Sequence, residues 1–186
     1  MGASQGILVK GGEPLEAAQK IRTIVFDKTG TITQGKPTVT EIRLFAPDDP
    51  YWTLRRMLAV AGTAESGSEH PLGMAVRKHC KDYFGCEQFG RCEDFKAVWG
   101  YGLTAKVSGV ENLINKTTIS DSQDKVYAVL IGNREWMARN SIPVTNEIDS
   151  TMTKHEHNGD TAILVAIDGK YQTKFSFIRN KSLLIF

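Results

Sequence analysis

The stretch that most constrains what this chain can become is Thr23-Ile24-Val25-Phe26-Asp27-Lys28-Thr29-Gly30-Thr31-Ile32-Thr33. Thr23 to Phe26, β-branched and aromatic throughout, reads as a buried parallel strand. The run stops abruptly on an acid and turns through Thr-Gly-Thr. In open α/β sheets chemistry collects beyond the carboxyl ends of the strands, where Asp27 would stand. A carboxylate held there can attack phosphorus and carry the phosphoryl group as an acyl phosphate. The hydroxyls of Thr29 and Thr31, with backbone N–H groups opened up by Gly30, would cradle the transferred oxygens. A strand followed by an ordinary polar turn is the plainer reading of a bare D-x-T.

Beyond Thr33 the pattern is no longer α/β. Gln34-Gly35-Lys36-Pro37 reads as a hinge, preceded by a short helix that Pro14 opens. Residues 37–45 alternate as a strand, and Asp48-Asp49-Pro50 supplies an N-cap and a first-turn proline for a helix to about Ala64. Leu54, Met57, Leu58 and Ala61 form its apolar stripe, with Arg55 and Arg56 on the wet side. Pro71 opens a second helix that buries Leu72, Ala75, Val76, His79 and Cys80 and ends near Phe84-Gly85. Strands are expected over 93–99, 103–108, 126–131 and 161–167, and helices over 133–140 and 146–157. Residues 111–125 read as a mobile loop. Asp168-Gly169 signals a hairpin that returns 171–177 against 161–167. The fold class is α+β: an antiparallel sheet flanked by helices, inserted after the first strand of an incomplete α/β base.

With 186 residues the chain can bury one good core or two small ones. A net charge of +2, with Arg55-Arg56 as the longest basic cluster, gives no reason to expect nucleic acid. Cys80, Cys86 and Cys92 are spaced for neither C-x-x-C nor zinc and read as reduced thiols. No apolar run approaches the ~20 residues that cross a bilayer. Neither a signal peptide nor a myristoylation pattern is present, since Gly6 stands where Ser or Thr is required. A soluble monomer without direct membrane insertion is expected.

Four separated pieces make a second constellation. Ser68-Glu69-His70-Pro71-Leu72 places an imidazole ahead of a proline-started helix, able to stack on or bond a heterocycle, although His before Pro is more often structural. Glu65 ends the preceding helix, as an acceptor for an exocyclic amine or as a plain solvated residue. Gly100-Tyr101-Gly102 leaves bare backbone that phosphates could approach, or is a simple tight turn. Gly132-Asn133-Arg134-Glu135-Trp136 offers an amide and a guanidinium to an anion at a strand-to-helix junction, with an N-cap Asn as the plainer reading.

DKTGT at Asp27 to Thr31, followed by T-A-E-x-x-S-E-H-P-L-G, G-x-G and I-G-N-R-E-W, resembles the heavy-metal P-type ATPases, closest to the animal copper-transporting (Menkes and Wilson disease) group. The resemblance runs from about Gly6 to Lys170. It implies catalytic roles for Asp27, Lys28 and Thr29, Mg²⁺ held at Asp27 and Thr29, and ATP surrounded by Glu65, His70, Gly100, Gly102, Leu103, Gly132 and Asn133. It also implies residues 1–35 as the start of a haloacid-dehalogenase-like phosphorylation domain, 36–170 as a nucleotide-binding domain and 171–186 as a divergent tail. Haloacid-dehalogenase-type phosphatases usually carry a second Asp where Thr29 stands, so a phosphoenzyme here should persist, as a pump requires. The family's T-G-D-N and G-D-G-x-N-D segments and its membrane helices, with the copper site, are absent from this sequence. The resemblance thus implies an ATP-binding, phosphoryl-accepting portion on the cytosolic face of a Golgi or plasma membrane, catalytically incomplete alone and linked to copper only through missing domains. The alternatives are an adenine-nucleotide-binding fragment without turnover, and a small phosphatase, which Thr29 argues against.

Overall fold

The computed structural model describes residues 10–26, 37–45, 50–114 and 125–168 in full, together with the backbone of 174–181. Strands β1 (Thr38–Leu44), β2 (Arg91–Val98), β3 (Gly102–Ser108), β4 (Tyr127–Gly132), β5 (Thr161–Ile167) and β6 (Lys174–Lys181) form one sheet in the order β1-β6-β5-β4-β3-β2. Every neighbouring pair is antiparallel. Helices α1 (Glu13–Ala18), α2 (Leu54–Ala64), α3 (Pro71–Phe84), α4 (Glu111–Ile114), α5 (Arg134–Arg139) and α6 (Asn146–His157) complete the described residues.

β5 shows why the sheet needs helices on both sides. Its sequence Thr-Ala-Ile-Leu-Val-Ala-Ile has no polar residue after the first, and all six that follow are buried. Successive side chains on a strand point to opposite faces. Ile163, Val165 and Ile167 therefore join Met57, Leu58 and Val76 under α2 and α3, while Ala162, Leu164 and Ala166 meet Met137, Ile148 and Met152 of α5 and α6.

α2 is buried without interruption from Met57 to Ala64, since it lies between the sheet and α3. Small residues permit this closeness: a Cβ at Gly62 would come within 2.8 Å of the Cys80 Cβ. Its N-cap is Thr53, whose hydroxyl accepts from Arg56 N at 3.2 Å, downstream of the expected Asp48-Asp49-Pro50 signal. Two stripe assignments also change. Leu54 is exposed, and Arg56 is tucked away, its guanidinium 3.7 Å from the Tyr51 ring and facing Glu111. Periodicity alone cannot tell which arginine finds an aromatic partner.

One further expectation is corrected. Residues 21–26 join no strand, and Ile24, Val25 and Phe26 are exposed. A single parallel strand has neither the neighbours that would complete its ladder nor helices to cover its faces. The strand expected to return against 161–167 is present as β6, which sits between β1 and β5, pairing Ile167 with Lys174 and Ile42 with Ile178. Asp168, at φ 56°, follows β5 and its carboxylate accepts from Ala128 N, but with Ile167 paired to Lys174 the return is longer than the tight turn that Asp168-Gly169 signals. Helices α3 and α6 run as expected, and α3 stops on Gly85 in the left-handed region. Among the described residues no helix is long and apolar enough to cross a membrane.

Candidate functional site

Asp27, Lys28 and Thr29 lie outside the described residues. The other expected site residues fall in two clusters. The first gathers where α2 passes through a 3-10 turn, Glu65–Gly67, into α3. Glu65 is no solvated helix end: it is 3% exposed, and its Oε2 has no hydrogen-bond partner among the described residues. Burial pushes its carboxyl up from 4.5 to about 7, with the Ser68 hydroxyl pulling the other way. The helix geometry is adapted to this carboxyl. A Cβ on Gly73 would overlap both Glu65 Oε2 and the Ser68 hydroxyl, so the glycine of Ser-Glu-His-Pro-Leu-Gly is a space requirement. Ser68 and Gly73 thus shape the surroundings of the Glu65 carboxyl. Their only signal in the sequence is a place within the motif.

His70 is the N-cap of α3, its Nδ1 accepting from Leu72 N at 3.3 Å. Pro71 at the first helical position has no N–H to satisfy, which suits a helix start. The cap occupies Nδ1 and leaves Nε2 as the exposed ring's remaining polar atom.

The second cluster ties the β2–β3 turn to the start of α5. Gly102 and Gly132 are cross-strand partners, and Trp136 closes over them. A Cβ on Gly102 would reach the Trp136 ring at 2.6 Å, and one on Gly132 would reach it at 2.7 Å. On that side the glycines receive an indole, where the sequence suggested open backbone for phosphates. The Trp136 Nε1–H donates to the carbonyl of buried Leu103 at 2.9 Å.

Asn133 is fully engaged as a connector. Its Oδ1 accepts from Trp136 N at 2.9 Å, its Nδ2 donates to Gly100 O at 2.9 Å, and its backbone N–H donates to Tyr101 O at 3.0 Å. The plainer N-cap reading of Asn133 is therefore observed. Arg134 is also spoken for, since Asp149 and Glu156 of α6 bind its guanidinium. It is thus withdrawn as a free anion contact, because two carboxylates already neutralise it.

β2 links the clusters. Its Cys92 thiol donates to Ala64 O at 3.8 Å beside Glu65, and its far end turns at Gly100. Burial, with Glu65 adding its charge, pushes the Cys80 thiol up to about 12, so this buried thiol is inert as a nucleophile or metal ligand. Among the described residues no group of three His, Cys, Asp or Glu side chains is arranged to hold a metal ion.

A family model for the haloacid dehalogenase-like hydrolases matches residues 21–179. The chain belongs to this family. It is similar to mouse copper-transporting ATPase 2, 49% identical over an alignment of 180 positions that covers 90% of this chain. The chain spans 12% of that relative's length. Among solved structures it resembles a zinc-transporting PIB-type ATPase in its E2.Pi state, at a TM-score of 0.62 and 24% identity, covering 98% of this chain and 25% of that one. It also resembles the N-domain of HMA6, a copper-transporting P-type ATPase, at a TM-score of 0.51 and 23% identity, covering 78% of this chain and 99% of the other. The structural likenesses concern the fold. The likeness to copper-transporting ATPases read from DKTGT and SEHPL is borne out at the level of sequence.

Proposed function

We propose that this chain is the adenine-nucleotide-binding, phosphoryl-accepting portion of a copper-transporting P-type ATPase. The observation that carries the reading is Glu65, a buried carboxyl whose Oε2 has no hydrogen-bond partner among the described residues. A buried acceptor without a donor costs about 1–3 kcal/mol, and a ligand that donates to it recovers that loss. The exocyclic amine of adenine is such a donor. His70 caps the helix that follows the Glu65 turn, with Nε2 free of the cap to bond the same ring, and Gly73 keeps the space around the carboxyl clear. Gly100, Gly102, Leu103, Gly132 and Asn133 form the second wall, so a nucleotide touching both lies along β2.

Asp27 supplies the chemistry. Its carboxylate oxygen attacks the γ-phosphorus of ATP, ADP leaves, and the phosphoryl group remains as an acyl phosphate. Mg²⁺ is assigned to Asp27 and Thr29 by the family's motif, and Lys28 completes that motif. Thr29 offers no carboxylate to activate water, so the acyl phosphate persists. Copper movement belongs to the longer protein, with this portion on the cytosolic side.

Incubation with γ-labelled ATP and Mg²⁺ should give an acid-stable, hydroxylamine-sensitive label that Asp27→Asn abolishes, while calorimetric ATP affinity stays nearly unchanged. A second reading, nucleotide binding without turnover, draws on the exposed and unpaired residues 21–26 that lead to Asp27. It predicts ATP binding with no label. Absence of both binding and label refutes the proposal outright.

A further inference from the structure

The carbonyls on either side of Glu65 are each held by a side chain from a different element. Ala64 O accepts from the Cys92 thiol of β2 at 3.8 Å, and Ser66 O accepts from Arg77 Nη1 of α3 at 3.2 Å. The turn between them is short. Ser68 N donating to Glu65 O at 3.1 Å closes it, and a Cβ at exposed Gly67 would meet nothing within 4 Å. Arg77 stands four residues after Gly73, so both lie on the face of α3 that receives this turn. Gly73 supplies room for the carboxyl, and Arg77 supplies a tether. The tether is the stronger of the two outer holds, because its donor carries a charge and a thiol is a weak donor. Arg77 is also half-buried, its Nε shielded from water and without a hydrogen-bond partner among the described residues. Such shielding strengthens the bond that its Nη1 makes.

We infer that Arg77 is a positioning residue for Glu65: by holding Ser66 O it keeps the carboxyl buried and available to the adenine amine. The inference rests on the nucleotide reading above. An ionised carboxylate gains by returning to water, and a turn free to rock about Gly67 would let it do so. The bond from Arg77 opposes that escape. Arg77 thus acts through the turn and not by contact with the ligand.

The test uses the whole 186-residue chain, with ATP and with inosine triphosphate, which lacks the exocyclic amine. Arg77→Met keeps the aliphatic stem and removes the tether, so circular dichroism should show the fold retained. ATP should bind roughly 10-fold more weakly, and inosine triphosphate as before. Arg77→Lys, which keeps a charged donor, should recover most of the loss. Glu65→Gln should weaken ATP at least as much, and adding Arg77→Met to it should weaken ATP no further. The pH dependence of the melt gives a readout without ligand. Wild-type stability should fall between pH 5.5 and 8 as the carboxyl, raised to about 7, ionises. That fall should shrink in Arg77→Met, because the carboxyl regains water. Cys80 and Cys92 also feel the Glu65 charge, but burial pushes both thiols up and keeps them neutral over this interval. Equal weakening of both nucleotides, or additive losses with Glu65→Gln, overturns the positioning role. A steeper pH dependence in Arg77→Met overturns it too, by making Arg77 a charge partner of the carboxyl. ATP affinity unchanged in Arg77→Met does the same and leaves the nucleotide reading standing. Failure of the wild-type chain to bind ATP overturns the nucleotide reading, and the pH dependence alone then decides whether Arg77 holds the carboxyl.

Discussion

Glu65→Gln is the perturbation that tests the site most directly, because it keeps the shape and removes the titration. The Glu65 carboxyl is raised from 4.5 to about 7 in the folded chain. An acid raised in this way binds more protons folded than unfolded between those two values, so stability is full below 4.5 and falls as pH rises toward 7. At 1.36 kcal/mol per unit, the whole loss comes to about 3 kcal/mol. Between pH 5.5 and pH 8 about 2 kcal/mol of it should appear. The glutamine variant carries no such penalty. Its stability relative to wild type should therefore improve by about 2 kcal/mol over that interval, or roughly 4–8 °C in melting temperature for a domain of this size. Thermal melts of both proteins without ligand at the two pH values measure this as a double difference. Any steric misfit of the amide beside Gly73 and Ser68 weighs equally at both pH values and cancels. ATP should flatten the wild-type dependence, since an amine donated to Oε2 favours the charged carboxylate. A variant-minus-wild-type difference identical at pH 5.5 and 8 would refute the argument that burial, and not the local hydrogen bonding, governs this carboxyl.

Three further outcomes follow from the same geometry. His70→Asn should keep the cap on α3, because asparagine is a strong N-cap, and lose the ring, giving an unchanged melt with ATP affinity lowered roughly 5- to 150-fold; His70→Ala should also lose about 1 kcal/mol of stability, and affinity intact in His70→Asn would mean that the residue only starts the helix. Gly73→Ala should destabilise by about 1–3 kcal/mol, although alanine is the better helix former by about 1 kcal/mol, because its Cβ must displace the Glu65 carboxyl or the Ser68 hydroxyl; a stabilised variant in a denaturant melt would show that the carboxyl moves aside freely. Gly102→Ala should cost a similar amount and alter near-ultraviolet circular dichroism, as Trp136 is pushed from the Leu103 carbonyl, and an unaltered spectrum would contradict that packing.

What the amino-acid order determined by itself was everything that depends on near neighbours along the chain. The helix over 146–157, the stop of α3 at Gly85 and the strand over 161–167 could all be read directly, since caps, turn residues and alternation act within a few residues. DKTGT and SEHPL carried the family likeness in the same way. Tertiary structure decided whatever depends on what stands opposite. Thr23 to Phe26 had the composition of a buried strand but found no partner strands, and so stayed unpaired and exposed. The return strand against β5 was legible, but its second partner β1, which makes 174–181 an interior strand, was not. Arg134 met two carboxylates from α6, and Asn133 met the carbonyl of Gly100. Glu65 illustrates the division most clearly. Its place in the motif was visible, but its burial and orphaned oxygen arise because α2, α3 and the sheet close around it, and desolvation is a property of the surrounding fold that no local pattern records.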